Sequence, residues 1–215
     1  MMMSQIKRYW HYLAAVMALC GLMLTSATAE SLRIMALGDS LTAGYGLDSA
    51  DSLPAQLQQA LGDRGHNVTV INAGVSGDTT SGGLSRLEWS LADEPQAVIL
   101  ALGANDGLRG INPRLTRENL EQMLATLQQR DLPVLLLGML APPNLGRDYG
   151  QAFNAIYPEL AEDYSVLLYP FMLEGVVGES HLNLEDGIHP NRQGIAVIVE
   201  NILPLVEELL QQVHE

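Results

Sequence analysis

Strand and helix signals alternate along most of this 215-residue chain, which predicts an α/β fold: a three-layer α/β/α sandwich around a mostly parallel five-stranded sheet. Three observations carry that prediction. Short runs rich in Val, Ile and Leu recur, amphipathic helical stripes fall between them, and the connections are short. Runs apolar on both faces suit parallel strands covered by helices on each side.

The strands are expected at Leu32–Leu37, Val68–Ala73, Ala97–Leu102, Pro133–Leu140 and Val166–Tyr169. After the first, Leu53, Leu57, Ala60 and Leu61 share one helical face, with Pro54 placed for a first turn. Leu120, Met123, Leu124 and Leu127 form a second stripe, for which Thr116 is the expected cap. The last helix carries Ile195, Ile198, Val199, Ile202, Val206, Leu209 and Val213, with Asn191 as cap; Pro204 is expected to kink it or end its first half. No internal repeat, linker or low-complexity tract interrupts the pattern.

Residues 1–29 read as a cleavable signal peptide. Lys7 and Arg8 give a basic start, Tyr12 to Leu24 is apolar, and Ala27-Thr28-Ala29 has the form of a signal-peptidase site. The run falls short of the roughly 20 residues a membrane span needs, so no stable anchor is expected after cleavage behind Ala29. Residues 30–215 then form a single domain, periplasmic or secreted and expected to be a monomer. Cys20 is the only cysteine, so the mature domain has no disulfide and no cysteine nucleophile. Lys7 is the only lysine; nine arginines then stand against 25 acidic residues, a formal charge of 9 − 25 = −16. Nucleic acid is a poor partner for such a surface, because binding rests on neutralising phosphates.

Four short signals fall at the expected carboxyl ends of strands or in the final strand-to-helix loop, the edge where open α/β sheets bind ligands. They are Gly38-Asp39-Ser40-Leu41, Ser76-Gly77-Asp78, Gly103-Ala104-Asn105-Asp106 and Asp186-Gly187-Ile188-His189-Pro190. Serine is a weak nucleophile until a base takes its proton. Of the histidines beyond the leader (His66, His181, His189 and His214) only His189 has an acid three residues earlier, Asp186. That carboxylate can bond Nδ1–H and leave Nε2 for Ser40. Attack on a carbonyl creates an oxyanion, for which the Ser40 and Gly77 N–H groups and the Asn105 amide are candidate donors. Singly, each signal is also an ordinary turn; the four in one order are specific.

In these blocks the chain resembles the SGNH hydrolases, also called GDSL esterases and lipases. The likeness extends through Asn72–Thr79, Asn105–Gly110, Pro143–Arg147 and Asp186–Asn191 to the exported bacterial thioesterase I/lysophospholipase L1/arylesterase branch. One departure is Ala104, where that branch usually has a second glycine. The resemblance implies a flavodoxin-like fold, Ser40 as nucleophile, Asp186 and His189 completing a triad, and Ser40, Gly77 and Asn105 as the oxyanion hole. It further implies hydrolysis of aryl esters, acyl thioesters and lysophospholipids through an acyl-enzyme, with no metal and no cofactor.

Rivals are weaker. An α/β-hydrolase elbow, G-x-S-x-G, would need glycine where Thr42 stands. A metal site built from Asp39, Asp78, Asp106, Asp186 and His189 has too few histidines. A narrow carbohydrate O-acetyl esterase, or a non-catalytic binding module on the same fold, remains as an alternative. The loops Gly107–Asn112 and Ala141–Tyr149 carry Leu108, Ile111, Pro142 and Leu145, candidates for an apolar acyl groove or for simple core cover. Arg109 and Arg147 are either contacts for an anionic head group or solvated loop residues.

Overall fold

A computed structural model of the protein describes residues 31–213; the expected leader, Cys20 and His214 lie outside them. Five strands form one parallel sheet in the order β2-β1-β3-β4-β5: β1 Leu32–Gly38, β2 Val68–Gly74, β3 Ala97–Ala101, β4 Val134–Leu137 and β5 Leu167–Tyr169. Every residue of β3 and β4 is buried, as continuous apolar runs between two helical layers require.

Eight α-helices accompany them among the described residues: α1 Ser40–Ala43, α2 Leu53–Asp63, α3 Thr80–Ser90, α4 Ala104–Leu108, α5 Pro113–Gln128, α6 Arg147–Asn154, α7 Ile156–Tyr164 and α8 Arg192–Gln212. Helices α2 and α8 pack together in one layer, while α5 contacts α3, α6 and α7 in the other. The expected stripes face the core: Leu53, Leu57 and Leu61 of α2, Leu120, Met123, Leu124 and Leu127 of α5, and Ile195, Ile198, Val199, Ile202, Val206 and Leu209 of α8 are buried. Burial of this apolar surface is the main term holding the layers together.

Three expectations need correction. Thr116 does not cap α5. Asn112 does, its side chain accepting from the Arg114 N–H, and Pro113 follows in the first turn. Thr116 lies inside the helix, buried, and its hydroxyl donates to Asp106. Pro204 does not divide α8, which runs unbroken through it. Pro204 and Glu200, whose carbonyl loses its i+4 donor, both face solvent, while Ile202, Leu203 and Val206 hold that turn to the core. The fourth strand stops at Leu137 rather than Leu140. Gly138 gives its N–H to the Tyr169 carbonyl and takes one from Met172, and beyond it Leu140 turns out to solvent.

In this strand order the chain leaves β1 toward β2 and then crosses to β3 on the other side. The carboxyl ends of β1 and β3 therefore flank a topological switch point, where α/β sheets open a crevice.

Candidate active site

The residues after β2, β1 and β3, three neighbouring strands, meet at this crevice. Ser40 opens the one-turn helix α1 directly behind β1. Its N–H belongs to the first residue of a helix and has no intrahelical acceptor. Asp39 caps the turn through Oδ1, which accepts from the Leu41 N–H at 3.0 Å. The turn closes at Gly44, after which Tyr45 lays its ring beside His189, with centroids 4.5 Å apart.

His189 arrives from the loop before α8. Its Nε2 lies 2.9 Å from Ser40 Oγ and its Nδ1 2.7 Å from Asp186 Oδ2. Asp186 Oδ1 also accepts the backbone N–H groups of Ile188 and His189, so a four-residue segment holds acid and base in one geometry. Those backbone bonds, with the ring's own, hold the Asp186 carboxyl down at about 2. An ionised acceptor at Nδ1 fixes the proton there and leaves Nε2 to accept from the serine hydroxyl. The loop is itself stitched down: Leu184 donates to the His189 carbonyl, and Asn191 caps α8 while its amide bonds the His181 carbonyl.

Gly77 sits in a turn closed by the Asp78 N–H to the Val75 carbonyl, at φ +85, a conformation that favours glycine. Arg109 reaches from the end of α4 and donates to the Gly77 carbonyl at 2.8 Å. It is therefore not simply a solvated loop residue. Arg86 braces the same region from α3, bonding the Asp78 carboxylate at 2.6 Å and the carbonyls of Ala73 and Gly38 at 2.8 Å each.

Asn105 lies in α4. Its amide donates to the Asp78 carbonyl at 2.9 Å and to Asp39 Oδ2 at 3.2 Å. The preceding glycine explains why Ala104 is tolerated. Gly103 holds the special conformation, φ +114, and a Cβ there would lie 2.1 Å from the Tyr157 hydroxyl. Ala104 is an ordinary helical residue. Asp106 is buried, accepting from the Thr80 N–H at 2.8 Å, the Thr80 hydroxyl at 2.5 Å and the Thr116 hydroxyl at 3.2 Å, and so ties α4 to α3 and α5.

The structure thus brings together Ser40, Asp186 and His189, and links Asn105 through Asp78 to the turn that carries Gly77. His181 is exposed beside Glu179, whereas His66 is half-buried and bonded to Glu207 at 3.2 Å. The acidic residues considered as metal ligands face separate partners, Asp39 the Asn105 amide, Asp78 Arg86, Asp106 two threonines and Asp186 His189. Among the described residues no three His, Cys, Asp or Glu side chains converge as a metal site. Of the groove candidates, Leu108 is 56% exposed, Pro142 approaches Gly107 and Leu145 approaches Gly110, so the two loops abut beside the crevice.

Sequence reasoning missed the parts that Asp39, Tyr45 and Arg86 play here. Asp39 had a signal, since an aspartate before a helix start is a strong cap. Arg86 had none, because its carboxylate and carbonyl partners lie 8, 13 and 48 residues away.

Fold and site together define an α/β protein with a Ser-His-Asp constellation at the switch point of a flavodoxin-like sheet. Residues 36–197 match the GDSL-like lipase/acylhydrolase family model, and the chain belongs to that family. It is 40% identical over 190 residues to esterase TesA of Pseudomonas aeruginosa, covering 88% of this chain and 94% of that protein. It is also 40% identical over 179 residues to thioesterase 1/protease 1/lysophospholipase L1 of Escherichia coli K12, covering 83% and 85% of the two chains. A crystal structure of TesA superposes with a TM-score of 0.78 at 41% identity, covering 82% of this chain and 99% of that one.

Proposed function

We propose that this chain is a serine esterase and thioesterase that works through an acyl-enzyme, with Ser40 as nucleophile, His189 as general base and Asp186 as its orienting acid. The observation that carries the proposal is the unbroken hydrogen-bonded path from Ser40 Oγ through His189 to Asp186, at 2.9 and 2.7 Å. In acylation Ser40 Oγ bonds the carbonyl carbon as its proton passes to His189 Nε2. The carbonyl electrons move to oxygen, where the N–H groups of Ser40 and Gly77 and the Asn105 amide receive the charge. Collapse expels the alcohol or thiol, which takes the proton from His189. Water then repeats the sequence on the acyl-enzyme and regenerates Ser40. The ionised Asp186 steadies the imidazolium at each stage. Asn105→Ala should lower kcat by about 10²–10³, the usual worth of one oxyanion donor; a loss below tenfold would remove Asn105 from that role.

The substrate class in this reading is a small aryl ester, acyl thioester or lysophospholipid. The names of the relatives, esterase and thioesterase/lysophospholipase, support it. A non-catalytic module is disfavoured by the hydrogen-bonded path from Ser40 through His189 to Asp186 and by the relatives' names. Export by a cleavable leader belongs to the same reading and favours lysophospholipid or another envelope ester over cytoplasmic acyl-CoA. Leu108, Ile111, Pro142 and Leu145 would line the acyl side of the crevice. Turnover of a p-nitrophenyl ester series, palmitoyl thioester and lysophosphatidylcholine tests this directly. The expected result is hydrolysis of all three classes, with chain-length preference altered in Ile111→Ala and Leu145→Ala. An unchanged preference in both variants would leave the two loops as core cover.

A further inference from the structure

The Asn105 amide is fully committed before any substrate arrives. A carboxamide nitrogen carries two hydrogens. The Asp78 carbonyl takes one at 2.9 Å and Asp39 Oδ2 takes the other at 3.2 Å. An oxyanion can receive an Asn105 N–H only if one of these bonds is shared or released. The bond to Asp39 is the longer and the easier to exchange.

Asp39 is unusually placed for such an exchange. It is 1% exposed and directly precedes Ser40 in the chain. Its Oδ1 accepts from the Leu41 N–H and so fixes the turn that presents the nucleophile, while Oδ2 holds Asn105, 66 residues away. One buried carboxylate therefore sets the spacing between nucleophile and side-chain oxyanion donor.

Resting on the serine-esterase reading, we propose that Asp39 is a positioning residue for the oxyanion hole. Its carboxylate holds the Asn105 amide against the Asp78 carbonyl in the free enzyme and yields one Asn105 N–H to the oxyanion as acylation proceeds. A carboxylate suits this task because it accepts hydrogen bonds and offers none. It dictates that Asn105 presents nitrogen, not oxygen, toward the crevice. An asparagine at position 39 would keep the shape, and through its own Oδ1 could keep the cap, but it would turn an NH₂ group toward the Asn105 NH₂. Two donors facing each other favour a flip of the Asn105 amide, which puts a carbonyl oxygen where the substrate oxyanion must form. The oxyanion is then repelled rather than bound.

A double-mutant cycle tests the proposal, using kcat and KM for p-nitrophenyl butyrate in wild type, Asp39→Asn, Asn105→Ala and the double variant. Asp39→Asn alone should lower kcat by about 10- to 100-fold, approaching the loss of an oxyanion donor, with KM changed less than about threefold. In the Asn105→Ala background the same change should cost less than about twofold, because no amide remains to be positioned. An equal loss in both backgrounds would overturn the proposal and assign Asp39 to the Ser40 turn alone. So would an Asp39→Asn variant within twofold of wild type. Ser40→Ala keeps the two readings apart: activity surviving that change breaks the esterase reading itself, whereas a dead Ser40→Ala variant with an additive cycle breaks only the positioning role.

Discussion

Asp39 and Asp186 are the same side chain in opposite settings, and the difference decides how each bears on stability. Asp186 sits on the surface with its carboxyl held at about 2 by donors from His189 and Ile188. Its folded value lies below the unfolded one, so its contribution is present above the ordinary carboxylate range and is lost as pH falls through about 2. Asp39 is buried, and burial pushes its carboxyl from 3.8 up to about 6 against the pull of the Leu41 N–H and the Asn105 amide. The folded protein then holds a proton that the unfolded chain has released, so stability falls as pH rises from 3.8 to about 6 and stays lower above that window. At 1.36 kcal/mol per unit the cost above pH 6 is roughly 2–3 kcal/mol. Asp39→Asn should therefore change the melting temperature more favourably at pH 8 than at pH 3.5, on top of the pH-independent cost of setting an NH₂ group against the Asn105 amide; an equal change at both pH values would contradict this account of Asp39. At this scale the sequence was legible wherever the chemistry demands a residue type, as at Ser40, Asn105 and His189. It was opaque where a role depends on a distant partner, as Asp39 does on Asn105 and Arg86 on Gly38.

Element boundaries follow local chemistry more closely than hydrophobic stripes do. Asn112-Pro113 starts α5 one turn before Thr116 because an Asx cap followed by proline is a stronger start than a lone threonine. Pro204 survives inside α8 because its face is solvated and its neighbours are buried, which outweighs one lost hydrogen bond. Neither outcome shows in the 3.6-residue pattern alone. Two glycines separate packing from propensity in the same terms. Gly62 lies in α2 with open space where a Cβ would go, so Gly62→Ala should stabilise by about 0.5–1 kcal/mol. Gly103 has φ +114, and its added Cβ would strike the buried Tyr157 hydroxyl, so Gly103→Ala should destabilise by about 2–3 kcal/mol and displace Asn105. Denaturant unfolding of both variants checks the pair; a neutral Gly103→Ala would mean the turn before α4 is not under this constraint.

For the whole molecule, five apolar runs and the helices between them were enough to foretell a parallel sheet with two helical layers, because burial on both faces leaves a strong compositional mark. The strand order was not readable from the runs themselves, since it is set by which crossovers the layers can pack. That order is what gathers the ends of β2, β1 and β3, with Gly77, Ser40 and Asn105, around one crevice. The acidic exterior tells against polyanionic partners. The central claim is that Ser40 is the nucleophile of this crevice. Labelling of the folded protein with a fluorophosphonate, mapped by mass spectrometry beside ester hydrolysis by Ser40→Ala, tests it most directly. The expected result is a single adduct on Ser40, with label and turnover both lost in the variant; an unlabelled Ser40, or full turnover by Ser40→Ala, would contradict it.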